Sequence, residues 1–292
     1  MMFKSIKELL AICDAESLTI HEIMIRQEMS VTGLTEEEVY ARMDKNLQTM
    51  EHALEQGLTD EGVVSTTGLT GGDALLLQRY IASGASLAGD TMLDVVSRAM
   101  ATNEVNAAMG KICATPTAGS AGVVPGVLFG LRSKLHPSRR DMLNFLLTAG
   151  AFGFVVANNA SISGAAGGCQ AEVGSAAAMA AAATVELAGG SPQQSAEAFA
   201  ICLKNMLGLV CDPVAGLVEV PCVKRNAAGS SNAVVSADMA LAGIQSRIPT
   251  DEVIEAMFRI GQTMPSALRE TGRGGLAGTP TGQRLKQQIF GD

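Results

Sequence analysis

The sequence predicts an all-α protein, and three observations carry that prediction. Helix start and stop signals recur along nearly the whole chain, clean alternating strand patterns do not, and the composition favours Ala, Gly and Met. With 32 Gly, 15 Met and no Trp in 292 residues, the chain suits helices at close backbone approach better than a sheet. Capping motifs then place individual helices. Thr19 with Glu22 and Thr35 with Glu38 form two capping boxes, the second opening a helix expected to end at Gly57. From about Gly68 the character shifts from charged to Gly, Ala, Thr and Ser. Further helices are expected near 73–83, 91–109, 138–157, 174–188, 193–207, 232–246 and 251–261, each from apolar periodicity and its flanking breakers. Residues 1–60 are expected as a peripheral helical layer or a subunit contact inside one domain spanning 1–292, because no flexible linker separates them. No tandem repeat is visible. The tail TGRGGLAGTPTGQRLKQQIFGD, rich in Gly and Thr, is expected either to be mobile or to close over a site.

Composition narrows the function classes. Lys and Arg number 21 against 29 Asp and Glu, a net charge of −8, and no basic stripe offers a footprint for nucleic acid. The partners expected are proteins and small molecules. The N-terminal segment lacks the uninterrupted apolar region of a signal peptide. The Ala/Gly-rich zone from Ala151 to Gly190 is interrupted by Asn158, Asn159, Gln170 and Glu172, so no membrane span is expected and the expected location is cytoplasmic.

Three of the six cysteines stand in breaker-rich surroundings: Cys169 after Gly-Gly, Cys211 before Asp-Pro and Cys222 after Pro. A structural cysteine usually lies on a periodic apolar face, as Cys13 and Cys202 do. Cys113, at the head of ICATPTAGSAG, is placed to approach a site without ligating it. The segment between Cys169 and Cys211 reads as a helical hairpin. An Ala-rich helix ends at Gly189 and Gly190; then Ser191 supplies an N-cap, Pro192 the first helical position and Gln194 the third position of a capping box. Two helices of about 15 residues run roughly 22 Å out and 22 Å back, which returns Cys211 to the end where Cys169 starts. Cys222 follows within reach. Zinc would favour four ligands and a Cys-x-x-Cys knuckle, and neither a knuckle nor a nearby histidine exists here. A 4Fe-4S cluster held by three thiolates would leave one iron open to water or substrate. The residues alone leave two readings level: such a cluster, or three buried free thiols in a reducing compartment.

The strings TGLTGGD, CATPTAGSAG, NNASISGAAGGCQAEVGSAAAMAAA and NMLGLVCDPVAGLVEVPCVKRNA resemble the α subunit of bacterial iron-sulfur-dependent L-serine dehydratase. The resemblance extends over essentially the whole chain. In that family the cluster cysteines stand in GGC, CDPVAG and VPC contexts, which match Cys169, Cys211 and Cys222. The resemblance therefore implies a 4Fe-4S cofactor on these three residues and deamination of L-serine to pyruvate and ammonia. The family also exists as a fused single chain with an additional N-terminal domain. This chain lacks that domain, so the resemblance implies the two-chain form with a separate β subunit as partner.

Such a reaction requires the α-proton to leave and the hydroxyl to be expelled, with the substrate carboxylate and ammonium held in place. Helix N-termini and Gly-rich nests suit a carboxylate. The candidate substrate-binding residues are Thr115, Thr117, Gly119 and Ser120, together with Asn158, Asn159, Ser161 and Ser163 ahead of Cys169. A further segment, Thr67, Thr70, Gly71 and Gly72 before Asp73, serves equally well as a cap or turn. Asp212 is placed to cap a helix or orient Cys211, and Glu172 to satisfy a helix start or touch substrate. No proton acceptor is assigned within the chain. His21, His52 and His136 read as surface residues, and nothing in the sequence depresses the pKa of Lys111, Lys204 or Lys224. In the family the β portion carries a Ser-Ser-His-Thr motif thought to face the cluster, a string absent here, so the resemblance implies a base from the partner chain. Competing readings are an iron-sulfur lyase acting on L-cysteine, a pyridoxal-phosphate dehydratase and a non-catalytic helical subunit.

Overall fold

Strong N-caps decide where the first helices begin. In the computed structural model, which describes residues 2–291, both predicted capping boxes form, at Thr19 with Glu22 and at Thr35 with Glu38. They open α2 (Ile20–Thr32) and α3 (Glu36–Gly57), after α1 (Ile6–Glu16), which Ser5 caps. α4 (Asp73–Ala82) and α5 (Asp90–Ala107) follow close to their expected bounds. No strand occurs among the described residues beyond isolated bridges, and the fold is all-α as predicted.

α6 (Val123–Gly130) was not anticipated. Its eight residues are all buried, so it carries no amphipathic period, and Pro125 falls in its first turn, where the missing N–H costs nothing. A single turn, α7 (Arg132–Leu135), leads into α8 (Arg139–Asn159). By length and composition α8 could cross a membrane, contrary to the sequence expectation, yet most of its apolar window is buried within the fold. After the single turn α9 (Gly164–Gly167) comes a π-helical turn, Gln170–Gly174, and then α10 (Ser175–Leu187). Every residue from Ser175 to Val185 is buried, and α10 packs against α6 and α8 as well as the next two helices, α11 (Pro192–Lys204) and α12 (Cys222–Leu241). Seven alanines on α10 make that all-round burial sterically feasible, because small side chains let several helices approach one axis.

The first three helices lie over this centre: α2 on α8, and α3 on α5 and α8. Their buried side chains, from Phe3 to Leu54, join the same apolar cluster as α10 and α12. α12 begins at Cys222 and ends at Leu241, well before the expected 232–246. Asn226 and the Gly229-Ser230-Ser231 triplet are weak helix formers, and packing of α12 on α5, α10 and α11 overrides them. α13 (Thr250–Thr263) matches expectation, and α14 (Pro280–Phe290) turns the end of the tail into a helix capped by Thr279.

Candidate active site

The hairpin brings the first two cysteines together. Gln170, fully buried, donates to Gly167 O at 2.9 Å and Met257 O at 3.0 Å, and accepts from Gly208 N at 2.9 Å. Its own N–H donates to Leu209 O at 3.0 Å. The start of the α10 segment is thereby stitched to the chain leaving α11, and the thiols of Cys169 and Cys211 lie within hydrogen-bonding reach of each other. That hydrogen bond lowers the pKa of Cys169 and raises that of Cys211. Cys222 is the first residue of α12, where helix amides favour a thiolate. Burial, followed by the charges of Cys169 and Glu172, pushes its pKa up. Cys13 and Cys202, raised by burial to about 11 and about 12, are inert thiols on buried helix faces, and all six cysteines are free.

Two carboxylates close on the same point. A Cβ on Gly164 would lie 2.8 Å from Cys211 Sγ, 3.1 Å from Glu172 Oε2 and 3.2 Å from Glu270 Oε2, so these three groups surround the bare Cα of Gly164. Glu172 leaves the π turn on the side of the Thr115–Ser120 loop. Thr117 Oγ1 donates to its Oε1, and a Cβ on Gly119 would come within 2.4 Å of that oxygen. Only glycine fits at 119 and 164 without moving the carboxylates. Burial raises the Glu172 pKa; the Thr117 hydroxyl opposes the rise and the Glu270 charge adds to it. A buried carboxyl beside buried thiols is poorly provided with counter-charge. The cation whose charge acts on these groups is Arg225, three residues after Cys222 on the same helix face, and it is spent on Val210 O at 2.8 Å and Asp212 Oδ1 at 2.7 Å.

These residues fit a cationic inorganic group. Three soft sulfur donors share one buried centre, two of them at helix starts, with carboxylates that lack paired cations. Among the described residues no three His, Cys, Asp or Glu side chains converge on a single ion-sized point. Thiolates of a cluster bind different irons, so a cluster does not require that convergence.

The predicted tail and loops act as supports. The turn just ahead of the tail closes over Cys211, whose N–H donates to Leu268 O at 2.8 Å and whose carbonyl accepts from Glu270 N at 2.7 Å, while the tail itself, from Thr271 onward, packs on the Asp212 loop. Asp212 Oδ2 accepts from Leu276 N at 2.7 Å. In the TGLTGGD segment, Thr67 donates to Glu219 Oε1 at 2.8 Å and Thr70 to Oε2 at 3.0 Å, which anchors the loop between Cys211 and Cys222. This segment works as a clamp on that loop.

Of the predicted substrate-binding residues, Thr117 and Gly119 face Glu172. Ser120 Oγ donates to Thr115 O at 3.1 Å and Thr115 Oγ1 to Ala121 O at 3.4 Å, so these two shape the loop. Ser163 Oγ caps α9, accepting from Ala165 N at 3.2 Å, and Ser161 Oγ accepts from Ser163 N at 3.2 Å. Asn158 and Asn159 go elsewhere. They are exposed at the end of α8 and donate to Phe154 O and Lys4 O, both at 2.7 Å. Adjacency in sequence to the Cys169 loop suggested them, and the helix end turns their amides away.

His21 pairs with Glu186 at 2.9 Å, at the far end of α10 from Cys169, and His52 and His136 are exposed. Lys204 donates to Ser246 O and Lys224 pairs with Asp73. Sequence reasoning missed Glu270, Arg225, Asn226 and Glu219. Arg225 and Asn226 had a signal, the i, i+3 and i, i+4 spacing from Cys222, which became legible only with α12 starting at Cys222.

Fold and site define an all-helical protein with three thiols and two carboxylates gathered at the mouth of a buried helical hairpin. The chain belongs to the serine dehydratase alpha chain family, whose model matches residues 15–277. It is 70% identical over 290 residues to the probable L-serine dehydratase, alpha chain, of Bacillus subtilis, covering 99% of this chain and 96% of that protein. It is 43% identical over 289 residues to the L-serine dehydratase, alpha chain, of Peptoniphilus asaccharolyticus, covering 99% of each. L-serine dehydratase 1 of Escherichia coli is 41% identical over 281 residues, which are 94% of this chain and 61% of that longer protein.

Proposed function

We propose that this chain is the α subunit of a lyase that deaminates L-serine to pyruvate and ammonia, with a 4Fe-4S cluster held by Cys169, Cys211 and Cys222. The observation that carries the reading is the meeting of Cys211 Sγ, Glu172 and Glu270 around Gly164, beside the two other cysteines. When bound, such a cluster supplies an iron without a protein ligand, a Lewis acid for the departing hydroxyl. Glu172 and Glu270 then serve as the anchor for the substrate ammonium, since two carboxylates in a buried site favour a cation. Thr117 orients the Glu172 carboxylate through its hydroxyl, and Gly119 and Ser163 border the same space. Asp212 and Arg225 hold the Cys211 loop rigid, so that the reacting groups need little reorganisation. The turn at residues 268–270 over Cys211 helps to exclude water from the site.

None of the chain's histidines is near this centre, so we assign the proton acceptor to a histidine of a β subunit. The names of the two-chain relatives, each an alpha chain, support a partner, and the longer single-chain relatives support a further segment acting with this one. Six free cysteines accord with a reducing, cytoplasmic setting. The reading is tested by pyruvate formation from L-serine, L-threonine and L-cysteine in the anaerobically purified complex, wild type against Cys211→Ser. L-Serine should be the preferred substrate, and the variant should lose activity by at least about 100-fold together with its iron. An active, iron-poor Cys211→Ser enzyme would refute the role of the thiols, and a preference for L-cysteine would reassign the substrate.

A further inference from the structure

Two buried asparagine side chains converge on one backbone carbonyl beside the site. Asn103 on α5 and Asn226 on α12 are both fully enclosed, and each donates through Nδ2 to Gly119 O, at 3.1 and 2.7 Å. Asn226 also donates to Cys222 O at 2.9 Å, and its Oδ1 accepts from Gly122 N at 3.0 Å. One side chain thus joins the first turn of the helix that carries Cys222 to both ends of the Gly119–Gly122 turn. A carbonyl oxygen has two lone pairs. Here both are taken by donors from different helices, and the Gly119 peptide cannot tilt without breaking a buried hydrogen bond. Gly119 is also where the loop presses on Glu172, whose Oε1 would sit 2.4 Å from a Cβ there.

Asn103 carries a cost that folding alone does not explain. Its Oδ1 is buried without a partner, and an unsatisfied buried acceptor destabilises, whereas an apolar side chain of similar volume would not. Its donor must therefore matter more than its acceptor costs.

We propose that Asn226 and Asn103 are positioning residues that set the Glu172 carboxylate against Cys222 and Cys211 by pinning the Gly119 peptide between α5 and α12. This inference rests on the deamination proposed above. A misplacement of about 1 Å at a reacting centre can cost about 100-fold in rate, so loss of either donor should fall on turnover rather than on assembly.

The test uses Asn103→Leu and Asn226→Asp in the iron-loaded complex with its partner subunit. Asn103→Leu removes the donor together with the orphaned acceptor. Asn226→Asp keeps the shape and the acceptor for Gly122 N while removing both donations. In each variant kcat for pyruvate formation from L-serine should fall by at least about 10-fold with KM within about 3-fold. Iron per chain should be unchanged, and the Tm of Asn103→Leu should equal or exceed that of wild type. Amide hydrogen exchange over residues 115–123 should speed up by at least about 10-fold, a readout independent of turnover. Wild-type kcat in both variants, or unchanged exchange over the loop, would overturn the proposal, and so would iron lost in step with activity. If the wild-type complex itself forms no pyruvate from L-serine, the deamination reading fails, and the exchange experiment still decides whether the pair fixes the loop.

Discussion

Glu104 shows what burial does to a single carboxyl in this fold. It lies on α5 almost fully enclosed, accepts from Asp73 N at 2.8 Å through Oε1 and leaves Oε2 without a hydrogen-bond partner. Burial, opposed by the backbone hydrogen bonds of Asp73 and Ala74, raises its pKa from 4.5 to about 7. Between those two values the folded chain binds more protons than the unfolded one. Stability therefore falls as the pH rises through that window, and the deficit is complete above about 7. Glu104→Gln should match the wild type in stability near pH 4.5 and exceed it at pH 8 by on the order of 1–3 kcal/mol, read as a higher Tm; a lower Tm at pH 8 would mean that the α4 amides need the full charge. At this scale the sequence was informative where local chemistry is self-announcing. Cys169, Cys211 and Cys222 could be singled out because glycine and proline neighbours remove them from any periodic apolar face. Glu270 could not, since its place beside Gly164 depends on the turn around Leu268 crossing back over Cys211. Asn158 and Asn159 misled for the converse reason: nearness in sequence to Cys169 says nothing of which way a helix end points its amides.

The α10–α11 hairpin is the element on which the site depends, and its turn was readable residue by residue. Ser191 accepts from Gln194 N at 3.2 Å, Gln194 Oε1 accepts from Ser191 N at 2.9 Å, and Pro192 takes the first helical position. Ser191→Ala should lower the stability of the chain by about 1 kcal/mol, as a reduced urea midpoint with unchanged slope. The return of Cys211 to Cys169 follows from two helices of equal length, 13 residues each. The π turn ahead of α10 was not foreseen, although it is what turns Glu172 toward the Thr117 loop; one inserted residue per turn leaves no mark in composition. Gly164→Ala probes the closeness of this packing. Its added methyl would overlap Cys211 Sγ and press on two carboxylates, so serine turnover should drop by about 10- to 100-fold while far-ultraviolet circular dichroism stays unchanged. Activity near the wild-type level would show that the groups around Gly164 do not need their present spacing. α12 marks the limit of element-level reading, because packing carries it through the weak formers, Asn226 and the Gly229-Ser230-Ser231 triplet, that hid its start.

Across the whole molecule, a helix of small residues is surrounded on every side, and the cysteine loops are gathered at one end of it. In the N-terminal layer α2 and α3 sit on α5 and α8 and α1 on α11 and α13, and His21 and Glu186 tie it to the end of α10 remote from the thiols. The thiol end is braced instead by the tail, by the Glu219 clamp and by the Asp212–Arg225 pair. The all-α class and most helix bounds were legible because caps and breakers are local. The bracing was not, since each contact joins segments far apart in the chain, such as Thr67 with Glu219 and Cys211 with Leu268. The central claim is that the gathered thiols hold a cluster. It is tested most directly by iron and acid-labile sulfide per chain, after anaerobic purification with the partner subunit, together with the visible spectrum before and after dithionite. The account predicts about four iron and about four sulfide per chain with a broad band that bleaches on reduction, whereas absence of both after anaerobic reconstitution would make Cys169, Cys211 and Cys222 structural thiols and contradict the proposed mechanism.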